Sequence, residues 1–161
     1  MDNKLDTWGS LHKQHVEVFI KINLLEKALL DLLQNRTTGY LEGTANIQED
    51  FLEAFEHGMT LHFTVEEKAL FPVLGKVEKK GETSISELLA DHKSIMEKYR
   101  KIRQTGAADK NKNEILLELV RELAKHGQKE EKTIPLLMSQ LTSEQLSSID
   151  QSAELLGYRL Q

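Results

Sequence analysis

A motif written twice constrains this chain more than any other feature. His62-x-x-x-Glu66-Glu67 is followed by Pro72 among apolar neighbours, and His126-x-x-x-Glu130-Glu131 by Pro135 in a similar setting. A four-residue step on a helix is about 40° of rotation, so each His and its Glu share one face, one turn apart. Imidazole and carboxylate together suit a first-row transition metal such as iron. Two copies imply two metals or one shared dinuclear centre.

The apolar period around these motifs is helical throughout. Leu11, His15, Val18, Ile22, Leu25 and Leu29 recur at three- and four-residue steps, which predicts a long amphipathic helix from Asp6 to Asn35. Thr44 is placed to cap a second helix carrying Phe51, Phe55, His62 and Glu66, with Pro72 kinking or closing it. Lys79, Lys80 and Gly81 read as a turn. Ser84 and Glu87 then read as a capping box opening a third helix on Leu88, His92, Ile95 and Tyr99. Gly106 to Asp109 breaks the chain before a fourth helix, on Ile115, Leu119, Leu123, His126 and Glu130, which bends near Pro135. A second capping box, Thr142 with Gln145, starts a short fifth helix over about 143–156. The expected fold is all-α: an up-down-up-down four-helix bundle with an additional C-terminal helix, in one domain over 1–161.

Six residues sit on apolar seams although they are polar or ionisable: His15, His62, Glu66, His92, His126 and Glu130. A bare buried carboxylate is expensive because its charge loses water. A cation supplies the compensation, and coordination keeps the imidazoles neutral and oriented. His15 and His92 lie early in their helices, His62 and His126 late in theirs. Antiparallel packing therefore lets all four meet, at one end of the core. The half-repeat of Gln14-His15 and Asp91-His92 suggests two units related by a pseudo-twofold, giving each metal two His with both Glu free to bridge. His12, one turn before His15, is a rim residue that shields the site or replaces a ligand. His57 shares a polar face and reads as solvated. Glu67 and Glu131 point about 100° from their neighbours and read as surface carboxylates. Tyr99 reads as packing, with a hydroxyl near the bound ligand as the other reading. Phe19, Phe55, Phe63 and Phe71 read as packing, with one or two walling a dry pocket. Trp8 anchors the N-terminus.

Composition excludes several classes. A net charge of -5 with no basic stripe argues against nucleic acid as partner. No apolar run of about 18 residues argues against a membrane span. Without cysteine there is no disulfide, thiolate zinc site or cysteine-held iron–sulfur cluster. The polar first residues lack the apolar core of a signal peptide, so a cytoplasmic location is expected.

The order, spacing and helical phase of His15, His62-x-x-x-Glu66, His92 and His126-x-x-x-Glu130 resemble the hemerythrin-like cation-binding (HHE) family over about residues 11–138. The resemblance implies a non-haem pair of iron ions, oxo- or hydroxo-bridged, with the four His as terminal ligands and Glu66 and Glu130 as bridges. Manganese or zinc are the substitutes. It also implies binding of dioxygen, nitric oxide or peroxide, as carrier, sensor or scavenger. Oxygen-carrying members have a fifth His where this chain has Leu88. By coordination count, each iron then keeps one position open, which favours reactivity. The competing expectations are a di-iron enzyme of peroxidase or nitric oxide reductase type, or an iron donor in the repair of iron–sulfur centres, with an electron-donor protein as partner. Family members with a repair role usually carry a cysteine-containing N-terminal segment, and this sequence has no cysteine. A non-catalytic helical regulator that binds a partner is the third.

Overall fold

The computed structural model describes residues 6–34, 41–105 and 111–158, and these are helical with no strand. Helix α1 spans Thr7–Leu33, capped by the Asp6 carboxylate, which accepts from the Gly9 N–H at 2.9 Å. The second rod, α2, runs over 41–74. It is built of Leu41–Ala54, a π segment Phe55–Met59, Thr60–Val65, a second π segment Glu66–Leu70 and a last α turn Phe71–Leu74. Helix α3 spans Glu78–Gln104, α4 Asn111–Met138 and α5 Ser143–Leu155.

Two apolar clusters fix the direction of each helix. One gathers Ile22, Leu25, Leu29, Phe51, Phe55, Ile95, Ile102, Leu116 and Leu123; the other gathers Leu11, Val65, Leu70, Ile85, Leu88, Ile134, Leu137 and Ile149. Going along the chain, α1 leaves the second cluster for the first. Then α2 returns, α3 goes out again and α4 comes back. That alternation is the up-down-up-down bundle. Each long helix passes from one cluster to the other through its polar seam residues, so these form a layer between two apolar slabs. The expectation that they meet at one end of the core is corrected here. The end slab exists because α5, with Ile149 and Ala153, folds over it. Thr7 ties that helix down: its N–H and Oγ1 donate to Asp150 Oδ1 at 3.0 and 2.7 Å.

The element ends test the local reading. The Thr142–Gln145 capping box is present, with the Gln145 N–H donating to Thr142 Oγ1 at 3.2 Å and the Thr142 N–H to Gln145 Oε1 at 2.9 Å. Thr44, by contrast, lies inside α2. The turn before α3 falls at Gly75–Val77, so Lys79, Lys80, Gly81 and Ser84 are helical, and the predicted capping box is interior. Gly81 serves a close approach instead of a turn: a Cβ there would stand 2.5 Å from the Leu74 carbonyl oxygen. Helix α4 continues through Pro135 to Met138. The predicted break at Gly106–Asp109 falls outside the described residues.

The π segment at Glu66–Leu70 has a sequence cause. Pro72 stands six residues after Glu66, whereas Pro135 stands five after Glu130. A π turn absorbs one extra residue, and here the Phe71 N–H reaches back five positions to the Glu66 carbonyl. The wider turn also relieves the clash of the Pro72 ring with the carbonyl four residues earlier.

Candidate metal centre

All six seam residues are buried, each 5% exposed or less, and all six come together. His15 and His62 bring their Nε2 atoms within 3.0 Å of each other, as do His92 and His126. Each Glu reaches both pairs. Glu66 Oε1 is 2.9 Å from His62 Nε2, and its Oε2 is 3.3 Å from His92 Nε2. Glu130 Oε2 is 3.1 Å from His15 Nε2, and its Oε1 is 3.1 Å from His126 Nε2. Two groups able to hold a cation result: His15, His62, Glu66 and Glu130; and His92, His126, Glu66 and Glu130.

The other ring nitrogens explain why Nε2 points inward. His15 Nδ1 faces Glu131 Oε1 at 2.7 Å, and His92 Nδ1 faces Glu67 Oε1 at 2.8 Å. His62 Nδ1 faces Gln14 Oε1 at 2.8 Å, and His126 Nδ1 faces Asp91 Oδ2 at 3.4 Å. Every partner is an acceptor, so every Nδ1 carries the proton and donates outward, and the Nε2 lone pairs are left for the centre. Reading Glu67 and Glu131 as plain surface carboxylates is thus corrected: each orients a His on the helix beside it. The arrangement obeys the pseudo-twofold, with Gln14 matched by Asp91 and Glu131 by Glu67. Asp91 is also bound to a cation, Lys129 Nζ at 2.6 Å.

The donor set fits a cation on a further observation. None of the four oxygens of Glu66 and Glu130 receives a well-directed hydrogen bond, although all four are buried. Buried oxygens of this kind demand a positive charge. In the metal-free protein protons take that place. Burial alone pushes the His15 imidazole down, but Glu130 and Glu131 outweigh it and hold it up at about 9. Burial likewise opposes the charge of His92, while Glu130 and Glu66 raise it to about 10. Burial and the charge of Glu130 push Glu66 up, yet His62 and His92 bring it below its ordinary value. Glu130, raised by burial, is carried well below its ordinary value by His126 and His15.

Aromatic rings wall the layer. Phe63 stacks on His92 with centroids 3.8 Å apart, Phe71 covers the same imidazole at 5.5 Å, and Trp8 stands edge-on to His15 at 5.9 Å. Tyr99 turns away: its ring stacks on Phe55 and its hydroxyl accepts from Arg103 Nε at 3.0 Å. His12 is exposed and bonds Glu131 at 2.8 Å, outside the layer. His57 is exposed. Between α1 and α4 a cavity of about 10 Å³ touches His15, His126 and Glu130 and is lined by Val18, Phe19 and Gly127. That is room for about one water-sized molecule. Gly127 makes the helix approach possible, since a Cβ there would meet Phe19 Cζ at 2.8 Å.

Comparison with known proteins agrees with this geometry. A family model described as the Hemerythrin HHE cation binding domain matches residues 7–137, which is most of the chain. No curated protein and no solved structure matches it significantly. By its family match and its buried His–Glu layer, the chain belongs to the hemerythrin HHE cation-binding family.

Proposed function

We propose that the chain holds two iron ions, one between His15 and His62 and one between His92 and His126, with Glu66 and Glu130 spanning both. With them it binds dioxygen, nitric oxide or a peroxide, as carrier, sensor or scavenger. The observation that carries this reading is the convergence of four Nε2 atoms, each held by an outward Nδ1 bond, on four carboxylate oxygens that receive no well-directed hydrogen bond. Iron supplies the affinity for diatomic ligands and the change of oxidation state. The protein's own residues do the rest. Gln14, Glu67, Asp91 and Glu131 fix the ring planes. Phe63 and Phe71 keep water from the face of the His92 imidazole. The cavity beside His15 and His126 gives a small ligand a route to the layer.

A set of nitrogen and oxygen donors selects metals weakly, so manganese and zinc compete for the same positions. Anaerobic loading with ferrous iron, followed by air, is expected to give about two irons per chain and a near-ultraviolet band from a bridged ferric pair. One iron or fewer per chain after reconstitution sinks the reading.

Leu88 favours a second reading. It is fully buried one turn before His92 and offers no donor atom. A centre short of protein ligands suits turnover of peroxide or nitric oxide with an electron-donor protein. Steady consumption of either with an added reductant separates this from reversible binding.

A further inference from the structure

Among the described residues, five buried side-chain polar atoms lack a hydrogen-bond partner. Four are the oxygens of Glu66 and Glu130; the fifth is the hydroxyl of Tyr158. The four oxygens face the place of the cations. The fifth lies beyond the end of α5, where the chain has no evident reason to bury a hydroxyl.

The local backbone shows that its burial is built. Helix α5 ends in a paired reversal: the Gly157 N–H donates to the Glu154 carbonyl at 2.9 Å, and the Tyr158 N–H to the Ala153 carbonyl at 3.1 Å. Gly157 has φ 80°, in the left-handed region that favours glycine. This turn returns Tyr158 to the protein with 2% exposure, in the apolar cluster of Leu11, Val65 and Leu88. Leu11 and Leu88 stand one turn before His15 and His92, and Val65 adjoins Glu66. The cluster is the floor of the metal layer. Burial and the charge of Glu66 both keep the phenol protonated, above its ordinary value. A protonated hydroxyl is a donor, and a buried donor without an acceptor is costly to keep.

We propose that Tyr158 is a further binding residue of the metal centre, its O–H donating a hydrogen bond to the small exogenous ligand held on the side floored by Leu11 and Leu88. The inference rests on the di-iron reading above. It gives α5 a part in ligand binding beyond covering the end of the bundle.

The test uses the full chain loaded with iron, azide as the probe ligand, and the variant Tyr158→Phe. The variant is expected to take up the same iron as wild type. Its azide dissociation constant should rise about tenfold, the size of one lost hydrogen bond, and its azide-to-iron absorption band should shift. In the metal-free state its melting temperature should equal or exceed that of wild type, because no protein partner is lost. Unchanged azide affinity at equal iron content overturns the inference. So does a visible phenolate-to-iron band in wild type that the variant lacks, since Tyr158 would then be a ligand and not a donor. A metal-free variant melting several degrees lower also overturns it, by revealing a partner for the hydroxyl within the protein. A wild-type chain that takes up no iron sinks the di-iron reading itself, a result distinct from all of these.

Discussion

Glu131 on α4 accepts a hydrogen bond from the Nδ1 of His15 on α1 at 2.7 Å, so the second acid of one motif copy holds an imidazole that belongs to the other half of the bundle. Glu67 does the same for His92 at 2.8 Å. Removing either acceptor frees an imidazole to rotate or to change tautomer. The variants Glu131→Ala and Glu67→Ala are each expected to weaken metal binding about 10- to 100-fold, at one of the two positions more than at the other. Competition with a chelator, read as two resolved binding steps, checks this; two steps of wild-type strength would count against an orienting role.

Glu66 contributes an oxygen to each pair of imidazoles. Truncation to Ala therefore affects both metal positions, whereas His62→Ala removes a donor from one. The Glu66→Ala protein is expected to hold about one iron or less and to lose the near-ultraviolet band of a coupled pair. Iron content and spectrum like those of wild type would show that Glu66 is no bridge.

Charge in the metal-free centre sets a pH window. His15 and His92 are raised from 6.5 to about 9 and about 10, so the stability they contribute is complete below about 6.5 and is lost as pH climbs through 9 to 10. Glu66 and Glu130 are lowered from 4.5, so their contribution is present above 4.5 and fades as the solution becomes more acid. Urea midpoints of the chelated protein should thus be highest between these limits and fall on both sides. At about pH 7 a metal must also displace the protons of His15 and His92, so uptake releases protons and strengthens as pH rises. Calorimetry in two buffers of different ionisation enthalpy measures that release; its absence would refute the protonated metal-free state.

Gly127 and Phe19 control the space beside His15 and His126. The variant Gly127→Ala forces the Phe19 ring aside or the two helices apart, at a cost of about 1–3 kcal/mol in thermal unfolding. Because the displaced ring lines the small cavity, the rate of azide binding to the loaded protein should fall as well. An unchanged rate would place the ligand's route elsewhere.

Much of this was readable in the sequence because buried helices leave a period. The phase of His15, His62, His92 and His126 on apolar seams announced both the bundle and the meeting of its polar residues. Glu67 and Glu131 were misread for a physical reason: a 100° step leads off the core face of their own helix, yet onto the Nδ1 atom of the next helix. Their recurrence in both motif copies was the available signal. The beginning of α3 was hidden because Gly81 permits a tight contact with Leu74 while looking like a turn, and Ser84 with Glu87 mimics a cap inside a helix. The π segment leaves no compositional mark, only the extra residue between Glu66 and Pro72. Tyr158 was beyond reach, since its direction depends on the reversal at Gly157.

The two apolar slabs that enclose the polar layer govern how a cation arrives. A hydrated ion crosses neither, because shedding its water inside hydrocarbon costs far more than thermal energy supplies. Delivery is therefore sideways, through a gap between helices, or early, before the rods have closed on one another. Metallation of the finished bundle would then be slow and set by its breathing, while a chain refolding with ferrous iron at hand would fill at once.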